Sequence, residues 1–321
     1  MRHRILVFTA AAIMLLCGCK KDTKIYSDIP AWLHLDRIEI VERADAVEPS
    51  PNGFLSSDID AVQLVAFWTG DDEETNLGTF QLPCTLPVLR NDTISRLIVR
   101  PVVKQNGIAA TRIEYPYYET VYLSGIPLVA DSTTNIGVQD AGGQWVVSTS
   151  YRPWTEQRVV DGEVIVTPDS LFKVLAQEYF EDTVLIFDSK VQQSMAAEDV
   201  RTGTGSGVIV VGASASTVDF EINSDIICND AGAYLYLEMD YKTDVRLSVG
   251  MKSAYHTGGN QSTQSAMTLY ETSQWKKIYI NLGRLWSQFN HNPTFRVVFS
   301  ALNSEGKGGK VYLDNVKLLQ M

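Results

Sequence analysis

Tyr234, Tyr236, Glu238 and Asp240 recur at every second position of one strand-like run, so a strand would present all four on one face. Ala233 to Tyr241 and Asp244 to Met251 both alternate strictly, which reads as a hairpin. With a three-residue loop at Tyr241-Lys242-Thr243, Leu237 faces Leu247, Leu235 faces Val249 and Met239 faces Val245, forming an apolar face for the core. That register sets Glu238 opposite Arg246 and Tyr236 opposite Ser248. On a later strand Trp275 and Tyr279 share a face, away from Ile278 and Ile280. Aromatic faces beside a carboxylate and a guanidinium suit a sugar: ring C–H patches stack on the aromatics and hydroxyls bond to the charges. Tyr234, Tyr236, Glu238, Arg246, Trp275 and Tyr279 are therefore the expected ligand-binding residues. The competing reading packs these aromatics under a loop or against another domain, because tyrosine is common in strands anyway.

Other chemistry is poorly represented. Gly203-Thr204-Gly205-Ser206-Gly207 superficially suggests a phosphate loop, but Val208-Ile209-Val210-Val211 follows. A phosphate cradle needs a helix N-terminus at that point, so this is a turn. There is no Gly-x-Ser-x-Gly, no His-Glu-x-x-His and no lysine-bearing P-loop, and no carboxylate pair stands out as catalytic. The chain is expected not to be an enzyme. The histidines (His3, His34, His256, His291) are scattered, and Cys84 and Cys228 lie far apart, outside any Cys-x-x-Cys pair. No zinc site assembles from such spacing, and buried thiols are expected rather than a disulfide. Asp71-Asp72-Glu73-Glu74 reads as a solvated acidic loop. With 27 basic and 38 acidic residues the net charge is −11, which argues against nucleic acid as a partner. An apolar fraction of 45% is that of a folded chain, not a disordered one.

Arg2 and Arg4 precede an apolar stretch from Ile5 to Leu16, and then comes Leu16-Cys17-Gly18-Cys19. A basic start, a short apolar core and small residues describe a secretory signal. About 12 apolar residues make ~18 Å of helix, too short for a bilayer core of roughly 30 Å. Leu-x-Gly-Cys resembles the lipobox of bacterial lipoproteins. The resemblance implies a leader over residues 1–18, removed in the mature protein, and a lipidated Cys19 as membrane anchor. Residues 19–30 then read as a polar tether ending at Pro30. Lys20 rather than an aspartate follows the cysteine. By the sorting rule of such lipoproteins, that implies the outer membrane, on its periplasmic or cell-surface side.

The elements that must position the candidate residues are strands. Trp32 to Ile40, Ala61 to Trp68, Leu97 to Val103 and Thr120 to Leu123 are short runs parted by turn residues, with Asn106-Gly107 as a hairpin signal. Residues 31–130 are expected to form an immunoglobulin-like β-sandwich. In the middle, Trp145 to Thr149 and Val159 to Val166 read as strands. Thr167-Pro168-Asp169 looks like a helix start, with Leu171, Val174, Leu175 and Tyr179 at helical spacing after it. Beyond Glu181 strands return: Gly207 to Gly212, the Ala233–Met251 hairpin, Trp275 to Leu282, Phe295 to Ala301 and Lys310 to Leu318.

This order, closing on Tyr312-Leu313-Asp314-Asn315-Val316, resembles the galactose-binding-like jelly rolls, which include many carbohydrate-binding modules. The resemblance implies a jelly roll within residues 131–321 and a glycan as ligand. It also implies a structural calcium held by Asp314, with Glu181 or Asp182 as partner; calcium wants six to eight oxygens, so this is only a beginning. No other cofactor is expected. The whole is thus expected to be all-β, a non-catalytic envelope lipoprotein binding glycans through its C-terminal domain. The alternative is a structural lipoprotein docking a protein partner in a surface complex, since the fold is reused for protein contacts. Replacing Cys19 with serine is expected to abolish incorporation of labelled palmitate and release the chain from membranes. Unchanged membrane binding would refute the anchor.

Overall fold

The computed structural model describes residues 26–46, 50, 53–160, 163–166, 172–228, 234–253, 262–289 and 294–321. The leader, Cys19, the proposed helix cap at 167–169, and His256 and His291 lie outside the described residues. Among the described residues the chain is all-β with one short helix.

The N-terminal strands run β1 (Tyr26–Leu35), β2 (Arg37–Ile40), β3 (Ala61–Trp68), β4 (Glu74–Gln81), β5 (Cys84–Arg90) and β6 (Thr93–Lys104), then β7 (Arg112–Glu114), β8 (Val121–Pro127), β9 (Thr133–Asn135), β10 (Val138–Gln139) and β11 (Trp145–Thr149). One sheet has the order β4-β3-β6, with β7 and β8 both on β6. Two three-stranded sheets, β5-β1-β9 and β10-β11-β2, lie opposite it. Alternation explains the packing: Ala31, Leu33 and Leu35 from β1 meet Val62, Leu64 and Ala66 from β3, and Leu97 and Val99 from β6 close the core. Asn106 and Gly107, both at positive φ, turn β6 into β7 as the Asn-Gly pair predicts. Pairing of β9 with β1 and of β11 with β2 carries this sandwich to Thr149. The boundary expected after residue 130 therefore shifts to about 150.

The second half contains β12 (Trp154–Val160), β13 (Glu163–Val166), β14 (Phe172–Glu178), β15 (Gln192–Ser194), β16 (Ser206–Val211), β17 (Thr217–Glu221), β18 (Ile226–Ile227), β19 (Leu235–Thr243), β20 (Arg246–Ser253), β21 (Thr263–Leu269), β22 (Thr272–Asn281), α1 (Gly283–Gln288), β23 (Thr294–Leu302) and β24 (Gly309–Gln320). The inner sheet is built on β24, which pairs with β14 and β16 on one side and with β19 on the other; β22 adds to β19. The outer sheet has the order β17-β23-β20-β21, with β18 also on β23. Between them lies the jelly-roll core, where Leu235, Leu237 and Met239 meet Leu247, Val249, Phe295, Phe299 and Leu318.

Two local expectations are corrected. Val174, Leu175 and Tyr179 do not sit on a helix: Phe172–Glu178 is a strand beside β24, with a register shift between Val174 and Ala176. That bulge puts a break in the two-residue alternation. The run Ala233–Met251 is not a hydrogen-bonded hairpin either. β19 and β20 belong to opposite sheets, so Leu237 and Leu247 face each other across the core rather than along a ladder.

Phe299 is buried and stacks on Phe220 with ring centroids 4.9 Å apart. Phe299→Ala is expected to cost about 3–5 kcal/mol, through lost burial and the cavity left behind. It should appear as a lowered urea midpoint at unchanged m value.

Candidate functional site

The jelly roll has two sheet faces, and they meet different fates. The face of β19 bearing Tyr236, Glu238 and Asp240 is covered by the N-terminal domain, and every residue of β19 except Lys242 is buried. Tyr115, Tyr117 and Tyr118, in the turn after β7, pack with Tyr236 and Tyr279 at ring separations of 4.8 to 6.4 Å. Phe54 and Tyr151 complete this aromatic layer.

Within the seam Glu238 is fully buried. Its Oε1 accepts from Tyr115 Oη at 2.7 Å and its Oε2 from Tyr151 Oη at 2.7 Å. Lys317 Nζ stands 3.0 Å from Oε2, and Lys277 Nζ stands 3.6 Å away. Lys317 is itself fully buried; it donates to Phe54 O at 2.7 Å and to Tyr151 Oη at 2.5 Å, over the rings of both. Burial alone would raise the Glu238 pKa, but the two ammonium groups and two hydroxyls outweigh it and hold the carboxylate below its ordinary range. Burial pushes the Tyr115, Tyr118, Tyr151 and Tyr279 hydroxyls well above their usual value, so they act as donors.

This geometry corrects the expected platform. Tyr236 and Tyr279 are 2% exposed, and Glu238 is not exposed at all. Tyr236 Oη accepts from Gln105 and Asn281 side chains at 3.0 and 3.1 Å, and Tyr279 Oη accepts from the Asp58 backbone at 2.8 Å. None of the three can meet a ligand, because another domain already occupies their face. Tyr234 is exposed, with its carbonyl taking the Tyr117 hydroxyl. Trp275 shares the inner sheet but lies away from the seam, edge-on to Tyr312 with Lys242 over both rings. Arg246 is on the other sheet and not opposite Glu238; it lies near Glu271, at 3.8 Å, and over the Tyr270 ring.

Asp314 and Glu181 converge on one loop. Asp314 accepts from the backbone of Arg201, Thr202 and Asn315, while Glu181 accepts from the backbone and hydroxyl of Thr204. Burial raises the Asp314 pKa to about 7 against those donors. Among the described residues no group of three or more His, Cys, Asp and Glu side chains could hold a metal ion. Both carboxylates are engaged as loop anchors, a poor fit to a calcium site needing six or more oxygens. No disulfide joins Cys84 to Cys228; the first is half-buried and the second buried.

The outer sheet keeps its far face open. Asp219, Ser300, Ser248 and Thr268 align across its four strands, and Glu221, Val298, Gly250 and Ser265 form the next row. Arg296, Lys252 and Thr263 form a third. Gly250 lets β21 approach β20 closely: a Cβ there would come within 2.2 Å of the Gln264 carbonyl oxygen, so only glycine fits. A groove of about 390 Å³ runs over this face, lined by Asp188, Lys190, Asp219, Glu221, Lys252 and Ser300 among others. Glu221 pairs with Lys252 and Arg296, each at 2.7 Å, and these charges overcome burial to keep it below the ordinary carboxylate range. Ser300 donates to Asp219 at 2.5 Å. Of the predicted set, only Arg246 stands on this sheet. The alternation of β20 and β23 was legible in the sequence and could have pointed here, but which of the two sheets stays open was not.

No family model matches the chain, and no curated protein does. Solved structures similar to it include a family 61 carbohydrate-binding module in complex with beta-1,4-galactotriose, 14% identical, covering 42% of this chain and 86% of that one, TM-score 0.28. A family 30 carbohydrate-binding module is 13% identical, covering 46% and 83%, TM-score 0.34. The enzymatically active domain of a bacteriophage CBA120 tailspike protein is 14% identical, covering 40% and 17%, TM-score 0.31. Each likeness extends over less than half of this chain, and no ligand or activity passes to it from them.

Glu238→Gln can accept from only one of the two tyrosine hydroxyls; it removes the carboxylate beside Lys317 and leaves Lys277 with Asp240 alone. A loss of about 3–5 kcal/mol is expected, as for other broken buried pairs. Adding Lys317→Met should recover much of it. Urea unfolding of both variants checks the pair, and a single variant as stable as the parent would contradict it.

Proposed function

We propose that this chain is a non-catalytic cell-envelope lipoprotein that binds glycans on the open face of the outer sheet. The carrying observation is the groove on that face, lined by hydroxyl, carboxylate and ammonium groups that Asp219, Glu221, Lys252, Thr263 and Ser300 bring from four strands. Sugar hydroxyls each donate and accept, so a face alternating Asp219, Ser300, Glu221 and Lys252 answers them group by group. Tyr270, 67% exposed beside Arg246 in the turn that follows β21, supplies an aromatic face for stacking at the end of the sheet. The volume lies within the range of small-ligand clefts, roughly 300–1,000 Å³. The N-terminal domain is seated on the face of the inner sheet that carries Tyr236, Glu238 and Tyr279, so those residues do not line the groove. The lipobox supports the envelope placement, and the chain's acidity favours a neutral or locally matched ligand over a polyanion.

A glycan array followed by isothermal titration on the soluble part, without the lipid, is the test. Binding that Lys252→Ala or Ser300→Ala weakens about 5–20-fold would support the trough, a loss in the range of one or two hydrogen bonds. Silence across plant, host and microbial glycans would overturn the reading.

A further inference from the structure

We infer that a second saccharide site, selective for an acidic sugar unit, lies in the groove where the two domains meet. This rests on the glycan-binding reading and extends it to a different surface. The groove encloses about 480 Å³ and is lined by Gln105 and Asn106 from the β6–β7 turn, Gln264 and Ser265 from β21, Asn281 from the end of β22, and Arg284 and Gln288 from α1. Both domains contribute, so neither could form it alone.

Its walls are held in place. The Asn106 backbone donates to the Tyr279 carbonyl at 2.8 Å, and the Asn106 side chain accepts from the Asn281 backbone at 2.9 Å. Gln105 and Asn281 both donate to the Tyr236 hydroxyl. Binding here therefore meets a surface already ordered by the seam, which reduces the entropy lost on association. Gln264, Arg284 and Gln288, by contrast, make no side-chain hydrogen bond or ion pair among the described residues. They are the groups left for a ligand.

The chemistry of the lining names that ligand. Carboxamides donate and accept at once, as sugar hydroxyls do. Among the described residues no carboxylate lines the groove, although the chain as a whole carries −11. Arg284, exposed and without an acidic partner, is the single charge on its walls. A guanidinium takes a carboxylate through two parallel hydrogen bonds. A uronate unit is repelled by most of this acidic surface and matched here. The two grooves flank the same edge strand: Thr263 lines the outer-face trough, and Gln264, Ser265 and Ala266 line this one.

Titration of the soluble protein with oligogalacturonate and with a neutral galacto-oligosaccharide tests the assignment. The parent is expected to prefer the acidic ligand. Arg284→Gln should weaken oligogalacturonate about 10-fold or more while leaving the neutral ligand unchanged, the loss of one charge-assisted pair. Gln264→Ala with Gln288→Ala should weaken it further, and Lys252→Ala in the trough should not. Oligogalacturonate bound equally well by Arg284→Gln, with neutral binding intact, overturns this inference alone. A parent that binds neither sugar overturns this inference, and silence across the whole glycan array overturns the glycan-binding reading with it.

Discussion

A carboxylate sealed from water has to be matched group by group, and the joint between the two domains is organised around one such group. Glu238 reaches two tyrosine hydroxyls from the N-terminal domain side of the seam and two ammonium groups from its own sheet. Two of these donors are tied in turn to something else: Lys317 to the Phe54 carbonyl, and Tyr151 to Lys317. Leaving any one of these groups unmatched costs more than the whole arrangement gains over a simple apolar contact. The two sandwiches are thereby held in one relative position, with the aromatic layer of Tyr115, Tyr117, Tyr118 and Phe54 excluding water around the charges.

That joint makes the jelly roll asymmetric. Its inner sheet is apolar toward the core and engaged with the other domain on its back, so β19 and β24 are buried on both faces. Its outer sheet retains plain alternation: Phe295, Val297, Phe299 and Ala301 turn inward, while Arg296, Val298 and Ser300 turn out. The outer face and the groove at the junction are thus two surfaces left for recognition. Both are polar, and the second exists only because the β6–β7 turn is docked against β22.

The misread segments share a cause. Strict alternation in Leu235–Met239 and Val245–Met251 correctly marks which side chains turn inward, yet two strands crossing from one sheet to the other show the same pattern as a hairpin. The apolar faces meet in either case, so periodicity cannot distinguish them. At Val174–Ala176 a bulge inserts an extra residue, and the resulting spacing imitates a helix. Tyr236, Glu238 and Tyr279 lie buried together in the seam. A tyrosine–carboxylate cluster suits a sugar and a domain interface equally, and local sequence holds nothing about which of them arrives.

By itself, the amino-acid order determined the β class, the positions of β16, β19, β20, β22, β23 and β24, the Asn106–Gly107 turn and the inward side chains of β19 and β20. These follow from side-chain volume, polarity and two-residue periodicity, which act over a few neighbours. Only the tertiary structure decided that Tyr115 and Tyr151 would close over Glu238, that Arg246 would part from it onto the opposite sheet, and that Gln105 and Arg284 would wall one groove. Those outcomes depend on contacts between residues 87 to about 180 positions apart, and desolvation becomes decisive only once such distant groups are brought together.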